Sequence, residues 1–85
     1  MAQVEVIRAV SGYKEKRSIP GKPTLEQLQG LVGGYIEPVY LDDGRVMLAD
    51  EDGFPKKLTH NEEASRLAHT FIVGDVVILN EQDFQ

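Results

Sequence analysis

Read for hydrophobic and polar positions, the chain divides into strand-length and helix-length runs separated by turn residues. Val4, Val6, Ile7 and Val10 fall within Gln3–Val10, a run of strand length whose β-branched content predicts a first strand. Ser11 and Gly12 punctuate it, and the polar, basic stretch Tyr13–Ile19 reads as a hairpin return strand at a sheet edge. Pro20, Gly21, Lys22 and Pro23 form a loop, after which Thr24 and Gln27 stand at the spacing of a capping box. The helix that begins there carries Leu25, Leu28, Leu31 and Val32 on one face, which is expected to pack on the sheet.

The helix runs into two adjacent glycines. Gly33 or Gly34 can take the left-handed conformation that closes a helix C-terminus, where a Cβ is penalised. The other is either slack in the turn or a place where something approaches the backbone closely. Tyr35–Leu41 and Arg45–Asp50 are strand-like runs joined by Asp42, Asp43 and Gly44, a strong hairpin signal. Pro38 cannot donate to a ladder, so its strand lies at an edge or presents residue 38 outward.

Glu51, Asp52 and Gly53 turn the chain into an irregular return segment, Phe54–Leu58, interrupted by Pro55. Either Thr59 with Glu62 or Asn61 alone can cap a second helix, with Ala64, Leu67, Ala68 and Phe71 as its apolar face. Asp75, Val76, Val77, Ile78 and Leu79 make a nearly continuous apolar run, the mark of a strand covered on both sides or central in its sheet. Asn80 to Gln85 is polar and is expected to fray. The sum is an α+β fold: a mostly antiparallel sheet of four or five strands with two helices packed on one face.

Composition narrows the class. Eighty-five residues make one domain, 1–85, and a core this small favours a homodimer. With no cysteine, disulfides, thiolate nucleophiles and Cys-based zinc sites are excluded. No window reaches the roughly 18 apolar residues of a membrane span, so a cytoplasmic location is expected. The net charge of −5 is unevenly spread: residues 1–22 carry five basic and two acidic groups, a balance of +3, and residues 23–85 carry four and twelve, a balance of −8. An extended nucleic-acid surface is therefore not expected, although a small anion beside the N-terminal basic segment is compatible with the split.

The ordered segments PTLEQLQGLVGGYIEPVYL, ADEDG, LTHNEEASRLA and IVGDVVIL, over about residues 20–79, resemble the DUF3846 family of small domains of unknown function. The most specific parts are LQ followed by VGGYIE, the turn Glu51–Gly53, Asn61 with Ala64 behind it, and Gly74-Asp75. The resemblance implies a phage or mobile-element accessory protein, working in the host cytoplasm, with no assigned chemistry.

The candidate chemistry is sparse. No spacing brings Ser11, Ser18 or Ser65 beside His60 or His69, so no catalytic residue is assigned. His60 with Asp50, Glu51, Asp52 or Glu63 offers suitable ligand types for a divalent ion, but the turn Asp50–Gly53 lacks the periodicity of a calcium loop. Neither metal nor cofactor is expected. Glu37 shares a strand face with Tyr35 and Val39 and needs a partner there, such as Arg45, Lys56 or a ligand group. The amide of Asn61 either caps a helix or recognises a ligand, and Lys14, Lys16 and Arg17 can clamp the phosphates of a small nucleotide.

Lys14, Lys16, Arg17, Tyr35, Glu37 and Asn61 are thus the candidate ligand-binding set. The leading expectation is a binding protein that sequesters a nucleotide-type signal between two copies, or occludes a host protein in an anti-defence role. The alternatives are a small nucleotide-processing hydrolase using Glu37, Asp75 and His60, and an assembly module that pairs through an edge strand.

Overall fold

The computed structural model describes residues 1–84; the last position of the polar tail, Gln85, lies outside them. Strands β1 (Ala2–Ile7), β2 (Lys14–Ile19), β3 (Ile36–Tyr40), β4 (Arg45–Asp50) and β5 (Val76–Asn80) form one sheet in the order β2-β1-β5-β4-β3. Every pairing is antiparallel. The helices are α1 (Leu25–Val32), α2 (Glu62–Ala68) and α3 (Glu81–Phe84). The α+β class and the mainly antiparallel sheet are as the sequence predicts.

The apolar run of β5 is explained by its place. It pairs with β1 on one side and β4 on the other, and both its faces are covered. Val77 and Leu79 join Val4, Val6, Ile19, Val46 and Leu48 under α1, which contributes Leu28 and Val32. Val76 and Ile78 join Ile7, Met47 and Ala49 under α2, which contributes Ala64. Each fully buried Val or Leu contributes about 1.5–3 kcal/mol against remaining exposed, so these two clusters are the main stabilising elements.

The two clusters also fix where the helices lie: α1 and α2 pack on opposite faces of the sheet, whereas the sequence reading put both on one. The physical reason is the β4 and β5 pattern. Apolar residues at consecutive positions leave two apolar faces, and one helix can cover only one of them.

Several local expectations are met. Thr24 accepts from Gln27 N–H at 3.1 Å, and the Gln27 side chain accepts from Thr24 N–H at 2.8 Å. Gly33 is the C-cap, with φ of 94°. The Asp42–Gly44 turn joins β3 to β4, and β3, with Pro38, is an edge strand.

Other boundaries move. The first strand stops at Ile7, and residues 8–13 form a turn closed by Arg8 N–H to Tyr13 O at 2.9 Å, which leaves Val10 exposed. Leu25 sits in the first turn of α1, pointing to solvent. His69 adopts a left-handed conformation, φ of 56°, and ends α2 at Ala68, so Phe71 lies beyond the helix and out of its apolar face. Instead of fraying, Glu81–Phe84 forms a short helix whose Phe84 packs on the α1-side cluster.

Candidate functional site

The ten residues Glu51–His60 connect β4 to α2 without forming a strand. They make successive turns, with Gly53 N–H donating to Asp50 O, Lys56 N–H to Asp52 O, Lys57 N–H to Phe54 O and Leu58 N–H to Gly53 O. Hardly any of the segment is buried apart from Gly53. Polar clasps and tight glycines hold it to the sheet.

The first clasp is at Asp50, whose side chain is almost wholly buried. It accepts from Asp52 N–H at 2.8 Å and from Lys56 Nζ at 2.8 Å. The carboxylate raises the Lys56 ammonium above the ordinary lysine value. Gly34 answers the question of the second glycine: a Cβ there would stand 2.7 Å from Lys56 Nζ and 3.0 Å from Asp50 Oδ2. Gly33 turns the chain, and Gly34 leaves room for the ion pair.

The second clasp is Asn61, only 1% exposed. Its Nδ2 donates to Ile7 O at 3.1 Å and Gly74 O at 2.9 Å, and its Oδ1 accepts from Ala64 N–H at 3.1 Å. One amide therefore ties β1, α2 and the approach to β5 together. Between these clasps, a Cβ on Gly53 would meet Val73 Cγ2 at 2.7 Å, and Gly74, with φ of 81°, sits against Leu58. Asp75 adds a third tie, accepting from Arg8 Nη1 at 3.0 Å and Ala9 N–H at 2.8 Å.

What this segment and the turn after α2 display outward is aromatic. Phe54 and Phe71 are 65% and 55% exposed, yet their rings stack at 5.9 Å with an interplanar angle of 16°. His60 also stacks on Phe71, its centroid 4.4 Å from that of Phe71 and its plane tilted by 9°. Phe71 is common to both pairs, and the three rings make one aromatic column. Beside it, Glu37, Ala49, Asp50, Glu51, Phe54, Phe71, Ile72 and Val73 line a cleft of about 170 Å³.

The candidate set read from sequence divides across the molecule. Lys14, Lys16 and Arg17 lie on edge strand β2, and Glu37 lies on the opposite edge strand β3 with Tyr35 just before it. Four strand spacings separate those edges, about 19 Å. Lys14 binds Glu63 at 2.6 Å and Arg17 binds Glu15 at 3.1 Å. The ladder sets Lys14 across from Ile7, on the α2 side, and Arg17 across from Val4, on the α1 side. The three basic groups therefore do not face one phosphate.

Tyr35 is exposed, and Glu37 pairs across the ladder with Ala49, which puts it on the α2 side near the aromatic column. Glu37 has no ion pair or side-chain hydrogen bond among the described residues: Arg45 engages Asp43 and Lys56 engages Asp50. The polar capacity of Asn61 is spent inside the fold.

The geometry also supplies a contact that spacing did not reveal. Ser65 Oγ lies 3.1 Å from His60 Nε2. Ser65 Oγ also donates to Ile72 O and accepts from Ile72 N–H, which makes it a staple for the turn after α2, and His60 is stacked on Phe71 with no carboxylate orienting it among the described residues. The pair lacks the third member that positions an imidazole for catalysis. Glu37, Asp75 and His60 line three separate clefts. Among the described residues, no group of three or more His, Asp or Glu side chains is arranged to hold a metal ion, and no helix is long and apolar enough to cross a membrane.

The aromatic column is not legible in the sequence, because Phe71 reads as helix face until the left-handed His69 is known. The only sequence signal was Phe54 beside Pro55 in a turn. By contrast, Gly34, Gly53, Asn61, Gly74 and Asp75, which carry the family resemblance, meet at one end of the sheet with Asp50. They hold the irregular segment and present its rings.

No curated protein and no solved structure matches the chain. A family model described as "Domain of unknown function (DUF3846)" matches residues 4–85, taking in β1 and β2 as well as the motif-bearing region, and the chain belongs to that family.

Proposed function

We propose that this chain is a non-enzymatic binding domain that docks a partner protein on the Phe54–Phe71–His60 column. The observation that carries the reading is a fixed stack of rings held in solvent. Large exposed apolar side chains in a contiguous patch are informative where scattered ones are not, and aromatic anchors dominate binding energy at interfaces. Here several polar devices fix a segment that buries little, and its outward product is that patch. In the mobile-element setting implied by the family resemblance, the partner is a cytoplasmic host protein, and occluding it is the anti-defence role.

Other readings draw less support. A nucleotide held by Lys14, Lys16 and Arg17 meets basic groups already paired or facing apart. A hydrolase built on Glu37, Asp75 and His60 needs groups that line different clefts. Pairing through edge strand β2 meets a charged edge of the kind that discourages strand addition.

The test is native mass spectrometry of the tagged full chain recovered from bacterial cytoplasm. The wild type is expected to carry a protein partner that the Phe54→Ala/Phe71→Ala variant loses while keeping its thermal transition. The same spectra report a homodimer and any nucleotide-sized adduct. An adduct that survives both substitutions, with no protein bound, overturns the docking reading in favour of sequestration.

A further inference from the structure

Resting on the docking reading above, we infer that the partner segment is basic, and that it places one Arg or Lys side chain in the cleft between Glu37 and the Phe54–Phe71 rings. At about 170 Å³ the cleft is smaller than the ~300–1,000 Å³ typical of sites for drug-sized ligands, and its size suits a single inserted side chain. Its charged lining is entirely acidic: Glu37, Glu51 and the buried Asp50. Asp50 is satisfied by Lys56, and among the described residues neither Glu37 nor Glu51 has an ion pair or a side-chain hydrogen bond. A cation entering there meets the Glu37 and Glu51 carboxylates beside the Phe54 and Phe71 rings.

Both contacts favour the same chemistry. The faces of aromatic rings attract ammonium and guanidinium groups through their quadrupole, and Arg also stacks on them. The wider field agrees, because residues 23–85 carry a balance of −8, which speeds the approach of a basic segment and slows that of an acidic one. An apolar partner would gain from the rings but would bury Glu37 unpaired, at a cost. The carboxylate thus converts an aromatic patch of broad affinity into one that selects for positive charge.

An array of random-sequence 12-residue peptides, probed with the labelled full chain, tests this directly. Peptides bound by the wild type should be enriched in Arg and Lys. Replacing the basic residue of a bound peptide by citrulline or norleucine should weaken binding about five- to tenfold, the size of one desolvated cation–π or charge contact. Glu37→Gln should cost a similar factor, and Phe54→Ala/Phe71→Ala should reduce the signal to background. Binding that depends on the two phenylalanines but not on peptide charge or on Glu37 overturns this inference and leaves the docking reading standing. Binding indifferent to the phenylalanines overturns both.

Discussion

Val46, Leu48, Val77 and Leu79 hold their strands by burial between neighbours, whereas Glu51–His60 has almost no buried side chain and is held at its ends by Asp50, Lys56 and Asn61. The contrast matters for how each region fails. A core of branched apolar residues absorbs one altered contact by small shifts, since volume and pattern are what it requires. A clasp has no such redundancy. Removing one polar partner leaves others buried without theirs, and an unpaired buried group costs more than a typical hydrogen bond contributes.

Asn61 offers the severest way to probe that difference. Asn61→Ala strips the cap from Ala64 N–H and leaves Ile7 O and Gly74 O without their donor, an expected loss of about 3–5 kcal/mol in urea unfolding. Asn61→Asp keeps the cap but turns a negative oxygen on both carbonyls. If it unfolds no more easily than the wild type, the cap alone matters and the clasp does not.

The two glycines separate strain from crowding. Gly33→Ala forces a Cβ into a left-handed residue and should cost about 1–2 kcal/mol in any background. Gly34→Ala should cost about 1 kcal/mol by displacing the Lys56–Asp50 pair, a value in the ordinary range for single substitutions. A double-mutant cycle distinguishes them: Lys56→Met should relieve the Gly34→Ala penalty and leave that of Gly33→Ala unchanged. Equal behaviour in the cycle would mean that room for the ion pair is not what Gly34 provides.

Smaller effects are expected on the outside. Phe54→Ala and Phe71→Ala each remove one ring of an exposed stack, at about 0.5–1.5 kcal/mol, so melting should change little while partner capture is lost. Glu63 supplies the slightest and most condition-dependent effect. Hydrogen bonds from Arg66 and Lys14 hold its carboxyl down at about 2. The folded value is depressed, so the contribution is present above the unfolded value near 4.5 and disappears as pH falls toward 2. Melting temperature should therefore decline across that window, and Glu63→Gln should flatten the decline.

Much of the sheet was legible beforehand because its rules are local. The Thr24–Gln27 box, the Asp-Gly hairpin and the apolar run of β5 each declare themselves within a few residues. What escaped depends on partners far along the chain. That α2 takes the other face follows from Met47, Val76 and Ile78 being turned toward it together, which no single segment announces. By pattern alone Phe71 belongs to the inward face of α2 and Phe84 to a polar tail. A left-handed His69 reverses the first, and a short helix docking one ring explains the second. Of the site, the strand alternation points to Glu37 and Tyr35 but not to the rings that give that face its character.

The place of β5 also sets a timetable. The β1–β2 and β3–β4 pairs are hairpins of neighbours in sequence, able to close early, but each then presents an unpaired inner edge flanked by apolar side chains. Only Val76–Asn80 satisfies both edges, joining residues more than sixty positions apart on one side. During synthesis, two sticky half-sheets must therefore wait for one late strand. A nascent chain arrested before Val76 exposes two sheet edges to its neighbours, and aggregation of such chains is the characteristic hazard of this topology.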